Sequence, residues 1–458
     1  MNKKLMALAV AGALTAPGLA VAQVGSSPGV TLYGRIESAI MVNTYSAVKN
    51  AAGVETTSEL KKGDVFQPGN AMGVRGREDL GGGTAVWFQL ETGVWTERLD
   101  SAASSGQHFG GRNSAIGVSS DWGDILYGLW DNPYKVAWGA GSVIASGQGH
   151  AGIIVGNGDT TGALPNAKCT GSLNNGTGSI NTTAGNVCTT ELTGGATQWS
   201  RRTSNSIQWW SPVFSGLQFK LGTAVANYQG ASTSAPAVGL QKPKLWSGSV
   251  QWARGPFTIA GAYESHEGFR QGGAGGVANP KDSALALSGK WNFGPGQVGV
   301  IWEQLEYANT NNGAAGVANT NNAVKGQNLM INGTWNVGPG AIWAGYSMTD
   351  GGKDCTATGA AGTAVNNASG LVVGCGADGE ATVLSLGYDY ILSKRTKLIF
   401  AYAKIDNSPT SATFAGSAYY YIAGPAGNNP AAQGQGTASG IQPSTDTTTL
   451  AFGIQHVF

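Results

Sequence analysis

The sequence has 458 residues, of which 73 are glycine, and only 12% are charged. A soluble enzyme usually carries about twice that share of charged residues, so the composition argues against this class. The formal net charge of +1 falls to −1 if Lys3 and Lys4 belong to a cleaved leader, and no basic cluster remains, which argues against a nucleic-acid partner.

Residues 1–22 have the three parts of a signal peptide. A basic segment at 1–4 precedes an apolar segment at 5–19, and Ala20-Val21-Ala22 forms a small-residue cleavage site before Gln23. We therefore predict a cleaved signal peptide at 1–22 and an exported domain at 23–458. No later run reaches the roughly 18 apolar residues of a membrane helix, so a membrane protein of this sequence has to be a closed barrel.

Sixteen segments alternate apolar and polar residues and predict β-strands with one apolar face. They lie at 30–45, 70–79, 84–96, 113–120, 124–131, 204–211, 216–229, 245–253, 257–266, 283–292, 297–308, 326–336, 340–349, 380–391, 396–406 and 447–458. We predict an all-β fold, a 16-stranded antiparallel transmembrane barrel with an apolar outer face and a polar lumen.

Short and long connections alternate strictly between these strands. Short ones such as L-G-G-G at 80–83, D-W-G at 121–123 and R-G-P at 254–256 contain Gly, Pro or charge. The long ones are rich in Gly, Ala, Asn, Ser and Thr. This asymmetry is typical of bacterial outer-membrane barrels, whose short turns lie in the periplasm and whose long loops lie outside. The third long connection, at about 132–203, exceeds ordinary loop length and is interpreted as functional.

Aromatic residues collect near the strand ends and predict one girdle at each membrane interface. Those near the short turns include Trp122, Phe214, Phe257, Trp291, Phe293, Trp335, Tyr390 and Phe458. Those near the long loops include Tyr45, Trp95, Trp130, Tyr228, Tyr307 and Tyr346. The alternative is that strands simply favour aromatic residues.

The strand alternation also directs charged residues into the lumen. In the strand at 30–45 the apolar register faces lipid, so Arg35 and Glu37 face inward. The same alternation places a further set of charged residues on the lumen face: Arg75, Arg77, Asp79, Glu91 and, as a weaker member, Lys220.

Arg35 and Arg75 lie roughly 13 to 16 Å along their strands from the short-turn end, and we expect them to be neighbours at mid-membrane. Adjacent like charges do not stabilise a sheet. We therefore interpret the arginines as a basic wall of the pore constriction, with a salt-bridge network that braces the barrel as the alternative.

The closing strand at 447–458 has one apolar register that contains Phe452, Ile454 and Phe458, with His456 as a polar member. We expect it to pair with the strand at 30–45 and so to close the barrel.

The four cysteines fit an oxidising compartment. Cys169 and Cys188 lie in one polar segment and Cys355 and Cys375 in another, without C-x-x-C spacing or a nearby histidine, so two local disulfides are favoured over a metal site. No cofactor is expected. The histidines are scattered, and His266 beside Glu264 and Glu267 is interpreted as a solvated rim, so we predict no enzyme activity.

An ordered set of motifs resembles the Gram-negative general-diffusion porins of beta-proteobacteria. The set contains V-T-L-Y-G-R-I-E at 30–37, G-V-R-G-R-E-D-L-G-G-G at 73–83, F-Q-L-E-T-G at 88–93, N-S-I-Q-W-W-S-P at 205–212, L-S-K-R-T-K-L at 392–398 and G-I-Q-H-V-F at 453–458. The resemblance covers essentially the whole mature chain, and the long loops are least alike.

The resemblance implies an outer-membrane homotrimer that passes small hydrophilic solutes and ions passively, surrounded by outer-membrane lipids. It also implies a third loop folded into the lumen, in which Asp131, Asp159 and Glu191 are the only acidic residues, and a last strand that engages the barrel-assembly machinery. The basic wall predicts an anion preference. Many relatives have an arginine where this chain has Leu129, so a channel without that preference, because of its smaller basic cluster, is the alternative. The alternatives are a substrate-specific channel, or a surface scaffold or adhesin with a blocked lumen.

Overall fold

The computed structural model describes residues 29–46, 59–66, 70–94, 110–144, 199, 202–224, 244–267, 281–307, 324–350, 365–366, 372–373, 380–407 and 446–458. Strands and one helix of the first half are β1 Gly29–Tyr45, β2 Leu60–Phe66, β3 Ala71–Gly81, β4 Thr84–Gly93, β5 Ser114–Ser120, β6 Gly123–Asp131, α1 Pro133–Gly139, β7 Arg202–Trp210, β8 Leu217–Ala224 and β9 Lys244–Arg254. The second half contains β10 Phe257–Glu267, β11 Lys281–Asn292, β12 Gly296–Tyr307, β13 Val324–Val337, β14 Gly340–Asp350, β15 Val365–Asn366, β16 Val372–Val373, β17 Glu380–Ile391, β18 Thr396–Asn407 and β19 Thr447–Val457.

The strands form one closed antiparallel sheet. From β3 onward each strand pairs with the next, except that β14 pairs directly with β17, and β1 pairs with β19 from Arg35↔Val457 to Tyr45↔Thr447, which closes the ring. The strands β2 and β3 pair with different halves of β1 and together occupy one place in the sheet. The predicted barrel of 16 strands is therefore confirmed, and each predicted strand corresponds to an observed one.

The main difference from the prediction is β2, which lies in the first predicted long connection. Apolar and polar residues do not alternate in its sequence, L-K-K-G-D-V-F, so the period-2 pattern does not predict this strand. It pairs with the upper half of β1 between Ala39↔Phe66 and Tyr45↔Leu60. Among the described residues, the short pair β15 and β16 forms a separate two-stranded sheet.

The two faces of the sheet have opposite polarity. On β1, Leu32 and Ile40 are exposed on the outer face, whereas Glu37 and Asn43 are buried on the inner face. Large exposed apolar side chains continue around the outside on the other strands, as expected for a face in contact with lipid. In the part of the chain that the structure describes, no helix is long and apolar enough to cross a membrane.

Aromatic side chains cover the outer face near the short turns. Phe257, Trp291, Phe293 and Trp335 form a continuous row, with centroid separations of 6.2, 5.0 and 5.7 Å between successive rings. This row agrees with the predicted girdle on that side. Trp130 differs from its predicted place in the opposite girdle, because it faces inward and is buried against other indoles.

The closure of the barrel depends on the pairing of Gly34 with Phe458. The two residues exchange backbone hydrogen bonds of 3.1 and 3.0 Å. The Phe458 ring lies over Gly34 so closely that a Cβ atom at position 34 would overlap it. Phe452 and Ile454 lie on the outer face of the same strand, as the alternation predicts.

Candidate functional site

The connection between β6 and β7 begins by crossing the inside of the barrel. From its first segment, residues 132–144, the amide of Tyr134 donates to Ser247 on β9 at 3.0 Å and the Tyr134 hydroxyl donates to Glu303 on β12 at 2.8 Å. Ser288 on β11 donates to the Ala137 carbonyl at 2.5 Å. These strands present their inward side chains to the segment, so residues 132–144 lie against the lumen wall.

The wall under α1 is built from small side chains. Tyr134, Ala137 and Ala140 pack with buried alanines on two neighbouring strands, which are Ala260, Ala262, Ala284 and Ala286. Because alanine leaves only a shallow surface on the pleat, a helix can approach the sheet without closing the lumen completely. Pro133 at the first turn of α1 supplies the fixed backbone angle that favours helix initiation there.

A buried asparagine fastens the far end of the segment. Asn332 on β13 accepts from the amide of Val143 at 2.6 Å and donates to the carbonyls of Gly141 and Gly299, both at 3.1 Å. A Cβ atom on either glycine would overlap the backbone of the opposite segment. The segment therefore reaches the wall at a place where neither chain carries a side chain.

The other end of the same connection also contacts the wall. The indole of Trp199 stacks on the imidazole of His266, with the centroids 4.0 Å apart and the planes 14° apart. His266 contacts Glu264, whose carboxylate accepts both hydrogen bonds of the Asn132 amide. His266 is fully buried, so its interpretation as a solvated rim is wrong, because the connection covers that part of β10.

Across the lumen, β1, β3 and β4 carry a cluster of polar and charged side chains. The guanidinium of Arg75 lies 5.1 Å from the centroid of the Tyr33 ring. Tyr33 donates its hydroxyl to Glu91 at 3.0 Å, and Arg112 contacts the other oxygen of Glu91 at 2.6 Å. Arg35 is half-buried and interacts electrostatically with Glu91 and Arg112.

This cluster and the inserted segment face each other. Eight steps around the 16-stranded ring separate β1 from β10, so the two strands lie on opposite sides of the lumen. Arg75 is six residues from the short-turn end of β3 at Gly81, and Ala262 is five residues from that end of β10 at Phe257. We call the cluster on β1, β3 and β4 the arginine side and residues 132–144 with the strands under them the helix side. The two sides therefore lie at similar depth in the barrel.

The expectation that Arg35 and Arg75 are neighbours is wrong. Arg35 pairs with Ala71, whereas Arg75 pairs with Thr31, so four residues separate the two levels along the strands. This separation corresponds to about 13 Å. The alternation of side chains predicts the face of a strand but not the stagger between strands. The arginines therefore occupy two levels of the lumen instead of one.

Glu37 lies within the wall, whereas the alternation predicts it on the lumen surface. It is 1% exposed, its amide donates to Asn70, and its carboxylate accepts from Gln455. Gln455 is the cross-strand partner of both Glu37 and Lys397, which contacts Asp389 at 2.8 Å. For Glu37 the structure favours the alternative role, a polar row that braces the seam of the barrel.

Asp131 ties together the two ends of the third connection. Its carboxylate contacts Lys135 in α1 at 2.8 Å and Arg202 at the start of β7 at 3.3 Å. The amide of Asn113 on the neighbouring connection donates to it at 2.9 Å. Asp131 therefore belongs to an ion-pair network at the base of the inserted segment.

Lys220 also lies within the wall and not on the predicted lumen surface. It is 4% exposed, and its Nζ lies 4.1 Å from the centroid of the Trp210 ring. Trp210 packs with Trp87 and Trp130 at centroid distances of 6.3 and 5.8 Å. This inward aromatic cluster shields the ammonium from the lumen.

The last two predicted residues lie near the short turn that follows β3. Asp79 is exposed and accepts the amide of Gly81 at 2.9 Å, so it stabilises the turn. Arg77 faces inward one step higher and donates to Ser119 at 3.4 Å. The structure thus brings Arg75 and Glu91 together around Tyr33. It places Arg35 on another level of the lumen and separates Asp79 from the cluster.

Sequence reasoning misses some residues of the site. Arg112 lies just before β5 in a connection, and Asn332, Gly141 and Gly299 act through the approach of two segments far apart in sequence. Only the inward register of Asn332 could have indicated it. The predicted disulfide cysteines, Cys169, Cys188, Cys355 and Cys375, and the leader at 1–22 lie outside the described residues. Within the described ranges, no group of three metal-binding side chains is present.

Comparison with known proteins gives a consistent result. A family model described as Gram-negative porin matches residues 7–410. An outer membrane porin protein of Bordetella pertussis is 26% identical over 424 residues, which cover 88% of this chain and 93% of the relative. Outer membrane porin protein 32 of Delftia acidovorans is 26% identical over 307 residues, or 67% of this chain and 70% of the relative. The solved anion-selective porin from Comamonas acidovorans superimposes with a TM-score of 0.55 at 19% identity, over 94% of this chain and 99% of that chain.

Proposed function

The chain belongs to the Gram-negative porin family and forms a diffusion channel in the outer membrane, and we propose that Tyr33, Arg75 and Arg112 face its constriction across from α1. The observation that carries this proposal is the position of residues 132–144, eight strands around the ring from β1 and at the depth of Arg75. The free path for a solute is the gap between these two sides.

The charge around this gap favours anions. Arg35, Arg75 and Arg112 lie on the arginine side. Glu91 contacts Arg112, and Arg35 interacts electrostatically with Glu37 and more weakly with Glu91. Glu37 turns into the seam and contributes less field to the lumen. A basic lining raises the local concentration of small anions and lowers that of cations. The Comamonas structure is described as anion-selective, in agreement with this proposal.

A salt-gradient recording in a planar bilayer tests the proposal. The purified protein should insert in discrete ohmic steps, and under a KCl gradient the reversal potential should have the sign of a chloride preference. Discrete steps with a potassium preference would refute the proposed charge of the constriction, and a barrel that inserts without conducting would refute the open path.

The proposal also covers processing of the chain, its disulfides and its assembly. We propose that the mature chain begins at Gln23, that Cys169 pairs with Cys188 and Cys355 with Cys375, and that three chains assemble in the membrane. Family membership and the polar composition of the two cysteine segments support these points. The apolar residues of β19 fit a strand that the barrel-assembly machinery receives. The absence of enzyme activity stays a prediction. Intact mass before and after reduction checks both the leader and the disulfides.

A further inference from the structure

Both ends of the third connection meet one pair of buried side chains on β10. At its first residue, the Asn132 amide donates to both oxygens of Glu264 at 3.2 and 3.1 Å. At its other end, Trp199 stacks on His266. Glu264 and His266 are two residues apart on one strand, so both point into the lumen.

Glu264 and His266 contact each other and are enclosed by neighbouring residues. His266 Nε2 lies 2.8 Å from Glu264 Oε1, and both side chains have 0% exposure. On the neighbouring strands, His266 pairs with Asp282, which is also buried, and with Leu245. Tyr134, whose ring is 6.4 Å from that of Trp199, completes the surroundings from α1. Burying polar or charged side chains such as these costs free energy unless each side chain keeps its hydrogen-bond or ion-pair partners.

We propose that Glu264 and His266 are positioning residues that hold both ends of the third connection in the lumen and thereby set the open cross-section of the channel. The inference rests on the proposed constriction and adds the groups that hold its helix side in place. Backbone ladders on both sides of β10 hold the strand itself, so removal of the pair does not open the sheet. It loosens the connection at Asn132 and Trp199, while Ser247, Glu303 and Asn332 still hold the segment between residues 134 and 143.

The size of the effect follows from the hydrogen bonds and the ring stacking that each substitution removes. Removing one partner of a buried hydrogen-bonded group typically raises the population of the released state about tenfold. Because the same pair holds both ends, the effects of His266→Ala and Glu264→Ala should not multiply in the double variant.

The test is single-channel recording of the full-length protein in planar bilayers. The variants are His266→Ala, Glu264→Ala, their combination, and His266→Phe, which keeps a ring for Trp199 but cannot bond to Glu264. His456→Ala is the matched control, because His456 is exposed on the outer face of β19. Trp199→Leu breaks the stacking from the connection side and leaves every barrel strand unchanged.

We expect the two alanine variants and Trp199→Leu to show about tenfold more frequent excursions between current levels than wild type, with His266→Phe intermediate. The His456→Ala trace should match wild type. Folded alanine and Trp199→Leu variants with wild-type traces would overturn the inference. If the strand variants fail to fold, Trp199→Leu alone decides. A silent wild-type barrel would instead remove the proposed open path, so the two failures are distinct.

Discussion

The guanidinium of Arg75 lies over the ring of Tyr33, and the hydroxyl of that same ring is hydrogen-bonded to Glu91. The tyrosine thus fills the space between a cation and a carboxylate on adjacent strands and keeps the two charges apart. This spacing leaves the charge of Arg75 available to solutes in the lumen.

Reversal of this charge should change ion preference. A unit charge at about 8 Å in water contributes about 0.5 kcal/mol, which salt screening roughly halves. Because Arg75→Glu changes the charge by two units and acts oppositely on anions and cations, the anion-to-cation permeability ratio should fall about fivefold. Reversal potential in a salt gradient measures this change.

Lys404→Glu is the control for Arg75→Glu, because Lys404 is exposed on the outer face and pairs with Asp406. Its reversal potential should stay close to that of wild type. Equal reversal potentials for Arg75→Glu and wild type would place Arg75 outside the constriction.

Substitution of Glu37 should affect stability more than selectivity. Glu37→Leu removes the acceptor of Gln455 from a buried row, at a cost of about 1 to 3 kcal/mol. We expect a lower unfolding temperature in heat-modifiability electrophoresis and a reversal potential close to that of wild type. Glu37→Gln, which keeps one carbonyl oxygen, should unfold nearer to wild type. A large selectivity change in Glu37→Leu without destabilisation would show that Glu37 lines the pore after all.

Replacement of Gly34 should hinder barrel closure. The ring of Phe458 occupies the space that a side chain at 34 would need, so Gly34→Val should cost about 1 to 3 kcal/mol by overpacking. The fraction of folded barrel after refolding in detergent measures this effect. Gly63→Val is the control, because no atom lies within 4 Å of the Cβ position there. Equal folded fractions for the two variants would argue against a steric role of Phe458.

Removal of the Asn332 side chain should disturb the inserted segment from its far end. Asn332→Leu leaves the Val143 amide and the Gly141 carbonyl without this partner, each at about 1 to 3 kcal/mol. We expect altered single-channel conductance in a barrel that still folds. Asn336→Leu serves as the control, since Asn336 lies on the same strand and face nearer the short turn. The same conductance in Asn332→Leu and wild type would mean that the remaining hydrogen bonds of the segment suffice.

The strands and their faces are predictable from sequence, because each strand carries its own period-2 pattern. Leu32 and Glu37 face outward and inward as the alternation requires. The levels of Arg35 and Arg75 could not be predicted in the same way. Their offset depends on how β3 is staggered against β1, and β2 occupies the upper half of that pairing.

Burial inside the lumen is a second quantity that the alternation does not predict. The inward direction of His266 and Lys220 follows from their strands, but their surroundings do not. Trp199 covers His266 from a segment far away in sequence, and Trp210 lies beside Lys220 only because β7 and β8 have that register. A polar residue on a lumen face therefore indicates a lining role only when nothing else packs on it.

The seam between Gly34 and Phe458 has a consequence for biogenesis. Its two residues are separated by nearly the entire polypeptide, so loop-closure entropy opposes their encounter until the other strands have assembled. During that interval β1 and β19 each present an unsatisfied edge that can recruit strands from other molecules. The open barrel is therefore exposed to aggregation until the seam forms, and an escort protein that shields either edge would reduce that aggregation.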